Sequence, residues 1–229
     1  MNLDNARDPR PTARVPFARD GAGTADADND VFVVAQALIE SRQNVSPKRL
    51  LEPGPTQQQL EALLNLAAAA PDHGLLTPWR FVLVPATQRH RLAEVFALAL
   101  IDRDPGATLE QIESAREKAH RAPLLLVAVA CLDTREPNTP ALERMVSMGA
   151  AIQNILLGAH AMGFGAGLTS GQAMASPRLH RLCGLSEGES AVCCINIGTV
   201  TQHKASKRLR PVPAGLCSEL PGESARGCG

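Results

Sequence analysis

The sequence predicts an α+β or α/β sandwich. Three observations carry this reading. Apolar runs of strand length alternate with stretches of helical spacing. Residues 124–129 are apolar at every position, as a strand buried on both sheet faces requires. A stretch from Thr139 to Met162 has the length of a helix, not of a strand.

The elements follow in order. Residues 1–30 are polar, rich in Asp, Arg, Pro and Gly, and read as a mobile arm. VFVVAQALIESR, from Val31, has helical spacing and runs into the polar Gln43-Asn44-Val45-Ser46-Pro47. Pro53-Gly54-Pro55 marks a turn. Thr56 caps the next helix, and Gln59 completes a capping box before LEALLNLAAAA; Pro71 ends it. Residues 81–84 read as a short strand. Leu92, Val95, Phe96 and Ala99 share one helix face. Thr108 and Gln111 form a second capping box, opening a charged helix to His120. After the strand at 124–129, Pro140 suits the first position of the long helix and Gly163 its end. That helix is apolar on nearly every side, which places it at the domain centre or in a subunit interface. A strand near Gly167-Leu168, a short helix from Ser176-Pro177 to about Gly184 and a strand at 191–197 complete the order. Residues 31–215 form the domain and 216–229 a C-terminal tail.

Composition narrows the function. With 229 residues and 45% hydrophobic content, the chain can build one sizeable core and is not disordered throughout. Lys+Arg and Asp+Glu are 23 each, which argues against a broad phosphate-neutralising face for nucleic acid. Aromatics are 3%, with no Tyr and one Trp, so stacking platforms for bases are missing. The longest apolar run, 122–131, falls short of the roughly 20 residues of a membrane helix. The N-terminus carries no apolar core of a secretory signal. The six cysteines include no CxxC pair and are expected as reduced thiols of a cytoplasmic protein. Cys193 and Cys194 are neighbours on a strand and point to opposite faces, which disfavours a shared metal.

No GxSxG, HExxH or P-loop is present. The glycines of 163–167 follow a helix, whereas a dinucleotide fingerprint follows a strand. They suit close packing against a neighbour or a flat ligand. No two histidines pair at helical ligand spacing, so no metal is expected. His160 reads as a core histidine, His90 and His120 as solvated. Two basic islands, SRQNVSPKR and HKASKRLR, fall at element ends. They are either solvated surface or a joint clamp for one phosphate. Trp79, the only tryptophan, reads as core.

APDHGLLTPWRFVLV, the following apolar strand, SMGAAIQNILLGAHAMGFGAGLTSG and CCINIGT together resemble the nitroreductase family of flavin enzymes. The likeness spans about residues 32–212 and is greatest to a small, minimal subgroup with an APDH…PW signature. It implies an α+β sandwich with a mixed sheet flanked by helices. It implies an intertwined homodimer holding two FMN molecules at the interface. It also implies ping-pong transfer of a hydride from NADH or NADPH through flavin N5 to a nitroaromatic, quinone or similar small acceptor.

The resemblance further assigns residues. Arg42-Gln43-Asn44 falls on the family's Arg-Arg-Ser motif; Arg42 keeps the cation for the FMN phosphate. Gln43 and Asn44 depart from the motif but can hydrogen-bond the phosphate or ribityl chain. Lys48 or Arg49 takes the next basic place. Pro71, Asp72 and His73 match a flavin-side loop, with His73 meeting the cofactor across the interface; a proton-donor role for His73 is an additional option. Thr77 stands where many relatives have Gln. Leu168, Thr169, Ser170 and Gly171 match the segment along the isoalloxazine, with a backbone N–H near Ser170-Gly171 approaching N5. Lys204 and Arg208 fall in the C-terminal phosphate region, which they share with Lys207 and Arg210. The flavin carries the redox chemistry, so no further catalytic side chain is required. The alternatives are a dehalogenase or flavin-degrading relative, a flavin-binding sensor or store, and a dimer without FMN.

Overall fold

The computed structural model describes residues 25–132, 138–201, 211–212 and 215–218. Its helices and strands keep the expected order: α1 (Ala25–Ser41), α2 (Gln57–Ala68), β1 (Trp79–Leu83), α3 (Arg89–Arg103), α4 (Leu109–Glu117), β2 (Leu124–Cys131), α5 (Ala141–Ala161), β3 (Gly165–Thr169), α6 (Pro177–Leu182) and β4 (Glu189–Gly198). The chain divides into two units, one ending at Arg42 and one beginning at Gln43. Within the first, α1 starts at Ala25, inside the segment expected to be an arm. It exposes Val31, Phe32, Val33, Val34 and Ile39.

In the second unit both capping boxes form. The Thr56 hydroxyl accepts from the Gln59 N–H while Gln59 accepts from the Thr56 N–H. Thr108 and Gln111 repeat the exchange at α4. Each box satisfies two N–H groups that the helix leaves unpaired, and such a cap stabilises a helix by about 1 kcal/mol. At the end of α5, Gly163 takes φ +85°, which only glycine adopts freely.

The sheet runs β1-β2-β4-β3, and every neighbouring pair is antiparallel. The sheet is therefore antiparallel, not the mixed sheet expected; Asn44 adds only an isolated parallel bridge to Ala166 on β3. Gly167 permits this approach: a Cβ there would strike the Val45 carbonyl oxygen. One residue of β4, Val192, has no partner, because the register shifts between Ala128↔Cys193 and Val129↔Ala191.

Helices cover both faces. On one, α2 and α5 bury Leu60, Leu63, Met148 and Ile155 against Leu126, Ala128 and Ile195. On the other, α3, α4 and α6 bury Leu92, Phe96 and Leu179 against Leu125, Val127 and Val129. β2 therefore loses water on both sides, as its continuous apolar run requires. Each fully buried Leu or Ile side chain contributes about 1.5–3 kcal/mol. Trp79 lies in the α2–α5 core. Cys193 packs into one core and Cys194 into the other, so the vicinal thiols do face opposite ways. Buried Arg89 joins three chain segments, donating to the carbonyls of Val84, Ala119 and Pro123 at 2.7, 2.8 and 3.0 Å.

Candidate functional site

A cleft of about 830 Å³ opens on the α3–α4 side of the sheet. One wall is the end of β3 and the turn after it: Thr169, Ser170, Gly171 and Gln172. The other comes from α3, α4 and the turn that follows: Arg103, Gln111, Ser114, Lys118 and Arg121. Cys194, Leu125 and Phe96 add apolar surface. Volume, apolar patches and a few polar groups match a site for a cofactor-sized molecule.

The turn owes its shape to specific bonds. Ser170 Oγ donates to the carbonyl of Val192 at 2.9 Å, the residue left without a partner by the register shift. Gly171 takes φ +149° with nothing near its missing Cβ. Among the described residues its N–H donates to no other backbone group. Gly171 thus bares backbone at the cleft, at a φ that a side chain would strain. Asn196, buried on β4, donates to Thr169 Oγ1 at 3.0 Å. The Cys194 thiol, directly across the strand pair from Thr169, is pushed up to about 12 by burial. Cys193 rises to about 11 for the same reason. Neither is a reactive thiolate.

Thr169, Ser170 and Gly171 thus share one cleft. Leu168 does not line it; its N–H donates to Asn44 Oδ1 at 3.3 Å. Asn44 is a brace for β3 in this chain. Pro47 reaches the cleft, whereas Lys48 lines a separate depression of about 590 Å³ with Glu52, Arg89 and His120. Arg121 borders both. Gln43 is exposed at the start of the second unit, and Arg42 ends the first. Lys204 and Arg208, with Lys207 and Arg210, lie outside the described residues.

His73 sits apart from this cleft, on a loop with unusual backbone. Gly74, Leu75 and Thr77 have φ of +70°, +54° and +45°. Such angles are costly for Leu and Thr and persist only when neighbours enforce them. Asp72 does so, accepting from the N–H groups of Leu76 and Thr77 at 3.0 and 2.7 Å. His73 Nδ1 lies 2.6 Å from Glu143 Oε1 in the first turn of α5. Leu75 is 92% exposed. Among the described residues no three His, Cys, Asp or Glu side chains group as a metal site.

The profile described as the nitroreductase family matches residues 42–199. The chain belongs to the nitroreductase family. Its fold and its oxidoreductase class follow from that membership. A Haemophilus influenzae protein named "Putative NAD(P)H nitroreductase" is 32% identical over 178 residues, covering 78% of this chain and 94% of the relative. A Bacillus cereus protein described as nitroreductase-like superposes with a TM-score of 0.69 at 22% identity, covering 81% of this chain and 95% of that one. A Clostridium difficile structure titled an FMN-dependent nitroreductase superposes at 0.53 and 16% identity, covering 75% and 91%. The last two likenesses concern the fold. No helix among the described residues of this nitroreductase-family chain is long and apolar enough to cross a membrane.

Several cleft residues escape a reading of the sequence. Arg103, Ser114, Lys118 and Arg121 look like the solvated side of charged helices, and only the α3–α4 packing turns them toward one space. Glu143 reads as a helix-dipole partner at the start of α5. Asn196 leaves a signal: it is the one amide in the apolar run AVCCINIG.

Proposed function

We propose that this chain is an FMN-dependent NAD(P)H oxidoreductase, with the flavin held in the cleft between α4 and the turn after β3. The observation that carries the reading is the meeting of Thr169, Ser170 and Gly171 with Lys118 and Arg121 around one cofactor-sized cleft. When bound, FMN would take two electrons from NADH or NADPH and hand them to a nitroaromatic, quinone or similar small acceptor.

The chain's own groups fit such a guest. Gly171 presents backbone N–H where a flat ring can approach closely. Lys118, Arg121 and Arg103 outnumber Asp104 and Glu110 on the lining and supply a positive excess, suited to a phosphate and to electron-rich ring oxygens. Phe96, Leu125 and Cys194 exclude water behind it. Arg42, Gln43, Asn44, Lys48, Lys204 and Arg208 remain proposed ligands of the phosphate or ribityl chain. His73 and Leu168 remain proposed neighbours of the flavin, His73 from a second copy of the chain.

A homodimer is part of this reading. On α5, Leu142 and Val146 lie exposed on either side of Glu143, and Leu75 projects from the loop between α2 and β1 that carries His73. Exposed apolar side chains on an ordered helix and a fixed loop suit burial against a second copy.

The test is anaerobic. Purified protein is loaded with FMN, and its visible spectrum is followed after adding NADH or NADPH. Bleaching of bound flavin is expected and names the donor. Bound flavin that resists both donors favours a sensor or store, and a protein that binds no flavin overturns the proposal.

A further inference from the structure

We infer that Asn196 is a positioning residue that makes Thr169 a hydrogen-bond donor into the cleft, so that the site favours reduced over oxidised flavin. The inference rests on the proposed flavin site and adds to it a group that sets the redox balance.

Asn196 is 1% exposed. A buried amide needs partners. Its Nδ2 lies 3.0 Å from Thr169 Oγ1 and 3.4 Å from both the Gly167 and Cys194 carbonyl oxygens. Two carbonyls only accept, so the amide atom between them is the nitrogen, and the orientation of the side chain is fixed. Thr169 Oγ1 therefore receives a hydrogen bond from Asn196. A hydroxyl has one proton, and that proton remains to be donated elsewhere.

Two acceptors compete for it. One is Cys194 Sγ, opposite Thr169 in the β3–β4 register. Burial keeps Cys194 a neutral thiol, which is a weak acceptor. The other is a ligand in the cleft, which Thr169 lines with an exposed side chain. The neighbouring hydroxyl differs: Ser170 Oγ spends its proton on the Val192 carbonyl. Thr169 is thus a wall residue whose hydroxyl proton is contested, among the described residues, only by the weakly accepting Cys194 thiol, with which its side chain hydrogen-bonds. A donor aimed at a group that gains negative charge strengthens as the charge grows.

The experiment measures the midpoint potential of bound FMN in the full chain. Thr169→Val removes the proton, and Thr169→Ser keeps it. Asn196→Asp replaces a donor with an acceptor, so the hydroxyl turns away from the cleft. Thr169→Val and Asn196→Asp are expected to weaken reduced FMN about tenfold relative to oxidised FMN, a fall of about 30 mV for a two-electron couple. Thr169→Ser is expected to match the wild type, and the double variant to fall no further than either single one. An unchanged potential in Thr169→Val overturns the inference while leaving the flavin site standing. If Asn196→Asp does not fold, the Val and Ser variants at the exposed position 169 decide the matter. A wild-type chain that binds no FMN overturns the proposed function and this inference with it.

Discussion

Glu143 Oε1 stands 2.6 Å from His73 Nδ1, joining two residues 70 positions apart. The pair fixes which ring nitrogen of His73 is occupied by Glu143. The side chains are 60% and 43% exposed, so the pair contributes at most about 1 kcal/mol to stability. Its consequence is positional. Glu143→Gln is expected to leave the urea midpoint nearly unchanged and to weaken FMN binding several-fold, read by flavin fluorescence. A large loss of stability with unaltered FMN affinity would assign the pair to the fold alone.

Glu189 governs the acid limb of stability. Arg80 Nε and Nη2 hold its two carboxylate oxygens at 2.6 and 2.8 Å, and the Ser186 N–H adds a third bond. The Arg80 hydrogen bonds lower its pKa from the ordinary 4.5 to about 2. A lowered carboxylate pKa stabilises the fold above the unfolded value and loses that contribution as pH falls through the folded one. Stability is therefore expected to decline from about pH 4.5 toward pH 2. Glu189→Gln should flatten that decline and cost about 1–2 kcal/mol at pH 7, because Arg80 keeps some access to water. Urea titrations at several pH values measure both effects.

Gly167 is a steric gate for the Asn44–Ala166 bridge. A Cβ at 167 would strike the Val45 carbonyl, and that segment has to move. Gly167→Ala is expected to cost about 1–3 kcal/mol, the range for overpacking. Because Thr169 lies on the same short strand, FMN affinity should fall as well. Thermal unfolding and FMN titration check the two parts.

The buried thiols should be inert. Cys183, Cys193 and Cys194 are all raised by burial, the last two to about 11 and about 12. At pH 8 a thiol reagent is expected to modify exposed Cys217 readily and these three only after unfolding. Mass spectrometry of native, labelled protein identifies the modified positions.

Much of this architecture is legible in the residues. Thr56–Gln59 and Thr108–Gln111 announce their helices because capping is local chemistry. Residues 124–129 announce the central strand because burial on both faces leaves no polar position. The glycines of 163–167 point to a close approach, and the segment after Asn44 makes it. The cleft's second wall is not legible, since Lys118 and Arg121 belong to a helix and turn whose charges look solvated until α3 and α4 pack. The roles of Asn44 and Lys48 also depend on tertiary placement: one braces β3, and the other faces a different depression.

The cleft between α4 and the turn after β3 is the proposed seat of the flavin. Ser114 is exposed on the cleft wall, so Ser114→Trp fills the space without disturbing the core. The most direct measurement is a fluorescence titration of FMN against wild type and this variant. One tight site per chain is expected in the wild type and loss of most of that affinity in Ser114→Trp, with unchanged thermal unfolding of the flavin-free proteins. Equal FMN affinity in the two proteins would contradict this placement.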